Sequence, residues 1–444
     1  MSKARTVAAW AIKKLWLLLA VLLVLFAVVL SVMRYALPHI DHKKYILEDF
    51  VNEKYGVELK IGSVKADWEK RGPSIVLNDV VLANNESSPV ELEIKHVHME
   101  IDFWESLRLR MLSSNVFTLD DLSLEIDADR MDSAGESDFP VVDALKRLFL
   151  EQLQRFSLTD GEVAIVRNGE REILQLESLS WINEEQHHQG TGEVRVQELT
   201  ANSASFIIDL NGSADSLDGV MYAKAEELDI SPWVKGLLAT RRPLKESRAN
   251  FEVWAEVKES QFSAFYTEFH ESKLAWGGDD DVVFNTGIRG GSIQAQPYNN
   301  RWHFRVDQLI FDSNDQSLVT DLVGTVSPQG EVLVNTVKPA PVNPFLVLLP
   351  LFTDDTADDN IRDLKPEGQL ATLQLNIRPR GVDVAAKLLG VSWQQDNKTP
   401  GMSSLDLDIY WHKKQGVIML SANEAKLDID NLLPESVDID ALRG

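Results

Sequence analysis

Nine histidines and several acidic runs are the residues of this 444-residue chain whose types could do chemistry. His96 and His98 stand two apart, a spacing that lets both imidazoles leave one strand face toward a metal. No third ligand accompanies them and they lie on the polar side of their segment, so a solvated strand face is expected. His187 and His188 are adjacent in "NEEQHHQG"; adjacent strand residues point oppositely, so this run reads as a polar loop. The acids of "GGDDD" (Gly277 to Asp281) and "TDDTADD" (Thr353 to Asp359) could offer oxygens to calcium. Neither has the ligand spacing of an EF-hand, so both read as solvated loops. "GIRGGSIQAQ" is glycine-rich but is no phosphate loop, and it marks a bend or turn.

The remaining motif search is negative. There is no H-E-x-x-H, no Walker-type loop, no G-x-S-x-G and no G-x-G-x-x-G after a strand. The chain has no cysteine, which excludes disulfides, Cys-ligated zinc, thiol nucleophiles and iron–sulfur clusters. Neither a metal site nor a cofactor is expected, and the reading is not an enzyme. In "VKADWEKRGPSIVLNDVVL", Trp68 has no partner residues that would make it a ligand or a catalytic group. It is expected to pack where a helix meets the first strands, with Gly72 and Pro73 turning the chain into the strand Ser74 to Leu82.

What must be positioned is therefore surface, and the elements follow from composition. The formal net charge is −25, and 44% of residues are hydrophobic, a globular composition. Residues 1–33 carry Lys3, Arg5, Lys13 and Lys14 and no acid, so the body is more acidic still. Such a body repels phosphate backbones, so no nucleic-acid partner is expected. The lack of cysteine fits an oxidising compartment such as the bacterial periplasm.

Leu15 to Met33, "LWLLLAVLLVLFAVVLSVM", includes Leu15, Trp16, Leu22, Phe26 and Met33 and has Ser31 as its only polar residue. At 1.5 Å per residue it reaches about 28 Å, enough to span the hydrocarbon core. It is too long for a signal-peptide core and no A-x-A follows, so a retained transmembrane helix is expected. The basic residues before it place 1–14 in the cytoplasm and the body outside. This predicts a single-pass protein of a bacterial inner membrane, with its body in the periplasm.

A juxtamembrane helix is expected over Pro38 to Tyr55, and another over Pro140 to Arg155 after the polar linker "DRMDSAGESD". Almost everything else alternates with period two, the mark of strands with one apolar face. Val97, Met99, Ile101 and Phe103 share one such face; Trp302, Phe304 and Val306 form a second; Leu373, Leu375 and Ile377 a third. "LDLDIYW", "FEVWAEV" and "FIIDL" behave alike. "TDGE", "SPQG" and "KKQG" read as turns between strands. "LDISPWVKGLLAT" and "PAPVNPFLVLLPLFT" add short apolar helices. The expected fold is mainly β: a transmembrane helix, then an elongated, curled antiparallel sheet punctuated by short helices. The modules are 34–130 and a repetitive stretch from 131 to 444. Apolar strand faces either close as a sandwich core or stay open as a groove for acyl chains, and periodicity does not separate the two.

The order of these motifs resembles the YhdP family of AsmA-like inner-membrane proteins. The resemblance is carried by "ALPHID", "YGVELKIGSVKADWEKRGPSIVLNDVVL", "VHMEIDFWESLRLRMLSSNVFTLDDLSLEI", "SPWVKGLL", "LKPEGQLATLQLNI" and "VSWQQDNKTPGMSSLDLDI". It runs through the whole chain and implies the N-terminal part of a longer protein, cut at Gly444. It implies a periplasmic β-groove that carries phospholipid between inner and outer membrane and supports the outer-membrane permeability barrier. Further partners in the outer membrane or among envelope proteins would contact the missing C-terminal part. On this expectation Val97, Met99, Ile101, Phe103, Trp302, Phe304, Val306, Leu373, Leu375 and Ile377 line the groove. The alternative is a non-catalytic assembly scaffold that binds outer-membrane proteins through exposed strand edges.

Overall fold

The computed structural model describes positions 24, 28 and 31 and residues 44–444, apart from 56–57, 70–71, 84–88, 103–107, 109–113, 134–139, 168–169, 197–202, 232–243, 278–282, 314–315, 347–360, 362, 379–380, 396–398, 413–414 and 430–434. The expected anchor residues Leu15, Trp16, Leu22, Phe26 and Met33 lie outside the described residues. Among those described, no helix is long and apolar enough to cross a membrane. Contacts divide the chain into two compact units: Met1–Gln197 with Gly212–Ala214, and Glu198–Asn211 with Asp215–Gly444.

In the first unit the helix α1 (Lys44–Tyr55) precedes β1 (Glu58–Glu69), β2 (Gly72–Ala83), β3 (Val90–Ile101) and β4 (Ser114–Asp127), which pair antiparallel in order. Trp68 falls opposite Pro73 at the end of the first hairpin; the packing expected of its side chain lies outside what is described. The expectation of an antiparallel sheet needs one correction, because β4 and β5 (Arg155–Arg167) pair in parallel. Parallel neighbours require a crossover of a dozen or more residues. The crossover here holds α2 (Ala128–Ser133), α3 (Pro140–Arg147) and a π turn, Leu148–Gln152. The supposed linker is thus helical over its first half. β6 (Glu170–Glu184) and β7 (His187–Val196) complete the unit antiparallel.

β8 (Ser203–Ser213) leads to the second unit, a ladder of long antiparallel strands. β9 (Ser216–Leu228) pairs with β10 (Leu244–Lys258). β11 (Gln261–Phe269) and β12 (Ser272–Gly277) both pair with β10 on one side and β13 (Val283–Tyr298) on the other, so they are one strand broken at His270 and Glu271. β14 (Arg301–Ser313), β15 (Gln316–Val326) and β16 (Val332–Thr336) follow. Both β16 and the short β17 (Ala340–Pro341) pair with β18 (Glu367–Arg378). β19 (Gly381–Trp393), β20 (Gly401–His412), β21 (Gln415–Asp428) and β22 (Val437–Arg443) end the chain.

Each unit has a row of interruptions running across its strands. In the first unit, β-pairing skips Asp79, Lys95, Asp121 and Asp160 at aligned positions. Asp79, Asp121 and Asp160 take φ of 51°, 56° and 52° there, a left-handed conformation that Asp tolerates better than most residues. The apolar phase slips by one at this row while remaining on one face: Leu77 then Val80, Ile94 then Val97, Leu119 then Leu122. "TDGE" is therefore no turn but the kink inside β5. "GIRGGSIQAQ" is likewise inside a strand, where β13 bulges around Gly290.

In the second unit polar side chains cap the backbone at the interruptions. The Glu227 N–H donates to Asn250 Oδ1 (2.6 Å), the Gln308 N–H to Asp321 Oδ1 (2.9 Å) and the Gly390 N–H to Asp406 Oδ1 (2.9 Å). These bonds satisfy donors that the broken ladder leaves without a strand partner.

Candidate functional site

Six of the ten residues expected to line a groove fall in the second unit, and strand register gathers them. Trp302 pairs with Val326, Val326 with Val332, and Val332 with Ile377. Phe304 pairs with Gly324, Gly324 with Val334, and Val334 with Leu375. Val306 pairs with Leu322 and Leu322 with Thr336, whose Oγ1 accepts the Leu373 N–H (2.9 Å). Directly paired residues share a face, so these are neighbouring rows on one side of the ladder. His303, Arg305 and Gln374 point to the other side.

The middle row is paired directly at every step. It runs from Met221 through Ala255, Phe265 and Ala295 to Phe304, and from Leu375 through Val384 and Trp411 to Gly416. Bulky and small residues alternate along much of it, and the rings use the room. A Cβ added to Gly324 would lie 2.3 Å from Phe304 Cζ, and one added to Gly416 2.4 Å from Trp411 Cε3. Each ring thus lies across its neighbouring glycine rather than standing off the sheet.

Exposure rises along the strands from the interruptions toward the hairpin ends. In β20 it climbs from 2% at Leu405 to 46% at Trp411, and in β21 from 4% at Ala422 to 55% at Ile418. Val306 and Leu370 are buried, Phe304, Leu373 and Leu375 half-buried, and Ile377 exposed. The rings of Phe262, Phe265 and Trp302 form a cluster with successive centroids 5.1 Å apart near the hairpin ends. The face is closed where the strands break and open beyond.

The other sequence-predicted residues lie in the first unit. Val97 pairs with Leu77 and Leu119 and is buried. Met99, between Ile75 and Phe117, and Ile101 are half-buried. Phe103 lies outside the described residues. The row of Met99 continues through Phe117 and Phe156 to Trp181, and here the crossover covers it. The Phe149 ring lies 5.2 Å from Phe156, which stacks on Trp181 at 6.0 Å.

Sequence reasoning missed the polar node under this cover. His188 was expected in a loop; it is the second residue of β7 and only 1% exposed. Its Nδ1 is 2.7 Å from Asn183 Oδ1 and its Nε2 3.1 Å from the Gly212 carbonyl. Asn183 Nδ2 donates to the carbonyls of Phe149 (2.7 Å) and Leu153 (2.6 Å), and Trp181 Nε1 donates to Asn183 Oδ1 (2.7 Å). The node ties the π turn to β6 and β7. The signal for it was the alternation on both sides of "EEQHHQ", which leaves room only for a tight turn at Glu185 and Gln186.

Elsewhere the polar groups neutralise one another. A depression on the second unit is lined by Glu227, Arg248, Asn250, His270 and Lys273, among others. Asn250 and Arg248 donate to Glu227 and hold its carboxyl below the usual carboxylate range. His96 bonds Asn78 on an exposed face. Among the described residues no group of three or more His, Cys, Asp or Glu could hold a metal ion. The residues of both long acidic runs, Gly277 apart, lie outside those described.

Fold and face define a mainly β protein whose second unit carries an apolar strand face that is half-buried to exposed toward its hairpin ends. The chain belongs to the YhdP family: the family model described as YhdP protein matches residues 1–444. It is 21% identical over 440 residues, 95% of this chain and 34% of the relative, to the "Intermembrane phospholipid transporter YhdP" of Escherichia coli (strain K12). The chain spans about a third of the length of that curated relative. No solved structure matches.

Proposed function

We propose that this chain is the inner-membrane end of a phospholipid transporter, carrying acyl chains along the open apolar face of its second unit. The observation that carries the reading is the register of Trp302, Phe304 and Val306 with Ile377, Leu375 and Leu373 on one face whose exposure increases toward the hairpin ends. Transfer of each CH₂ from water to such a surface is worth about 0.8 kcal/mol. At about 4.8 Å per strand, the row from Met221 to Gly416 gives a path of several tens of ångström. The flattened rings of Phe304 and Trp411 keep that path level, so a chain moves along it without a large barrier at any strand. In the first unit Met99 and Ile101 are half-buried apolar residues that could make similar contacts.

The relative's name supports phospholipid as cargo, and family membership supports transport between membranes. The basic residues before Leu15 to Met33 support an inner-membrane anchor with the N-terminus in the cytoplasm and the body in the periplasm. No step requires a cofactor. A photo-crosslinking residue at Phe304 in the membrane-anchored protein tests the reading. Phospholipid adducts are expected there and not at His303, which faces the other way. Adducts to protein alone would overturn the transport reading in favour of an envelope assembly scaffold. With the crosslinker kept at position 304, placing charge at two other points of the row, Phe265→Asp with Leu375→Asp, should abolish the lipid adducts while the strands keep their amide protection.

A further inference from the structure

Among the described residues β1 pairs with β2 on one side only, so its other edge presents outward N–H and C=O groups. Such an edge invites another strand. α1 lies along it. The Leu59 N–H donates to Asn52 Oδ1 (2.8 Å) and the Ile61 N–H to Glu48 Oε1 (2.8 Å). Lys44 Nζ donates to the carbonyls of Ile61 (2.9 Å) and Gly62 (3.0 Å). Lys44, Glu48 and Asn52 recur at four-residue spacing, one stripe of a helix.

The match is geometric. Four helical residues rise about 6 Å, and two strand residues about 6.6–6.8 Å, so a helix running against a strand keeps step with its outward groups for two turns. Donors and acceptors also match, since carboxylate and amide oxygens meet the N–H groups and the ammonium meets the carbonyls. Side chains here do what a neighbouring strand's backbone would do.

We infer that α1 takes the place of a strand along the first part of β1, Leu59 to Gly62, and closes that stretch to pairing, including pairing with a second copy of this chain. The sheet then starts at β1, and strands are added from one direction only. The helix follows the segment Leu15 to Met33 closely in sequence, so on the membrane anchor proposed above the capped strand is the first one after the anchor in the chain.

The test uses the full chain in membranes. Glu48→Met with Asn52→Leu keeps size and removes both acceptors, whereas Glu48→Gln keeps an oxygen. The first variant should speed amide exchange at Leu59 and Ile61 about tenfold, the loss of roughly one hydrogen bond each, with β2 still protected. Because the chain has no cysteine, Lys60→Cys supplies a single thiol between the two capped residues, where an antiparallel pair of β1 strands over that stretch brings two thiols together. Disulfide-linked dimers should form in the acceptor-free background and not in the wild-type or Glu48→Gln background. Unchanged exchange at Leu59 and Ile61 would overturn the capping. Faster exchange without dimers would overturn the seal. If β2 also loses protection, Asn52→Leu alone, which orphans only the Leu59 amide, decides by the exchange of that amide.

Discussion

The two units use the same alphabet and reach different surfaces. Both have period-two strands, both are interrupted by an aligned row of kinks or bulges, and both gather their apolar residues on one face across that row. In the first unit the face is a core: Ile61, Val64, Val97, Leu119 and Leu158 are all buried. In the second, Phe304, Leu375 and Val384 are half-buried and Trp411 and Ile418 exposed. The difference is what lies on top. The parallel β4–β5 connection forces a crossover, and that crossover sets Phe149 on Phe156 and ties down by the Asn183 node. Hairpins join most neighbouring strands described in the second unit, and a hairpin has no length to spare for a cover; most of the two longer connections, 229–243 and 342–366, where short apolar helices were expected, lies outside the described residues. Topology, more than hydrophobicity, separates core from open face.

The largest effect that could break this comparison is a matched truncation. Phe156→Ala should destabilise the first unit by about 3–5 kcal/mol, the cost of a buried aromatic and its cavity. Phe304→Ala removes a half-exposed ring and should cost the second unit about half as much or less. Amide exchange followed unit by unit measures both. Equal losses would mean that the second face is closed too.

A smaller effect sharpens the account of the cover. Asn183→Leu leaves Trp181 Nε1, His188 Nδ1 and the Phe149 and Leu153 carbonyls without the partner they have in Asn183. Each orphaned group costs about 1–3 kcal/mol if it stays dry, so a loss of about 2–4 kcal/mol is expected as water enters. The loss should appear at the π turn, β6 and β7 and leave β18 to β21 unaffected, as read by exchange at Leu153 and Leu375.

How far the sequence reveals this fold follows the same division. Alternation in "RWHFRVD", "ATLQLNIR" and "LDLDIYW" is strong because one face of each strand is apolar throughout, and these segments are β14, β18 and β20. The slip in phase at Lys95 and His96 was also present in the sequence, but a positive-φ residue within a strand resembles a turn when read locally. That is why "TDGE" misleads. The register that sets Phe304 in one row with Leu375, through Gly324 and Val334, is non-local and has no trace in either segment. Nor does the parallel pairing of β4 and β5, which depends on where residues 128–154 lie. His188 escaped for a related reason: a buried imidazole is recognised by partners such as Gly212 that are remote in sequence.

The smallest effect concerns the polar row that closes the second unit's face where its strands break. Asp321 is buried there, and its carboxyl is held below the usual range, first by the hydrogen bond from Lys338 and then by the Gln308 N–H. A carboxyl whose folded value is depressed stabilises the fold above its unfolded value, about 3.9. That contribution is lost as pH falls through the folded value. Protection of the Gln308 amide should therefore hold from neutral pH to about pH 4 and decline below it. Asp321→Asn keeps an acceptor and removes the titration, so its protection should be weaker at neutral pH and flat with acid. Asp321→Leu should cost about 1–3 kcal/mol, because the Gln308 N–H loses its acceptor. If the wild-type decline survives in Asp321→Asn, the acid sensitivity belongs to other carboxylates, and the caps at the interruptions are not what sets where the face begins to open.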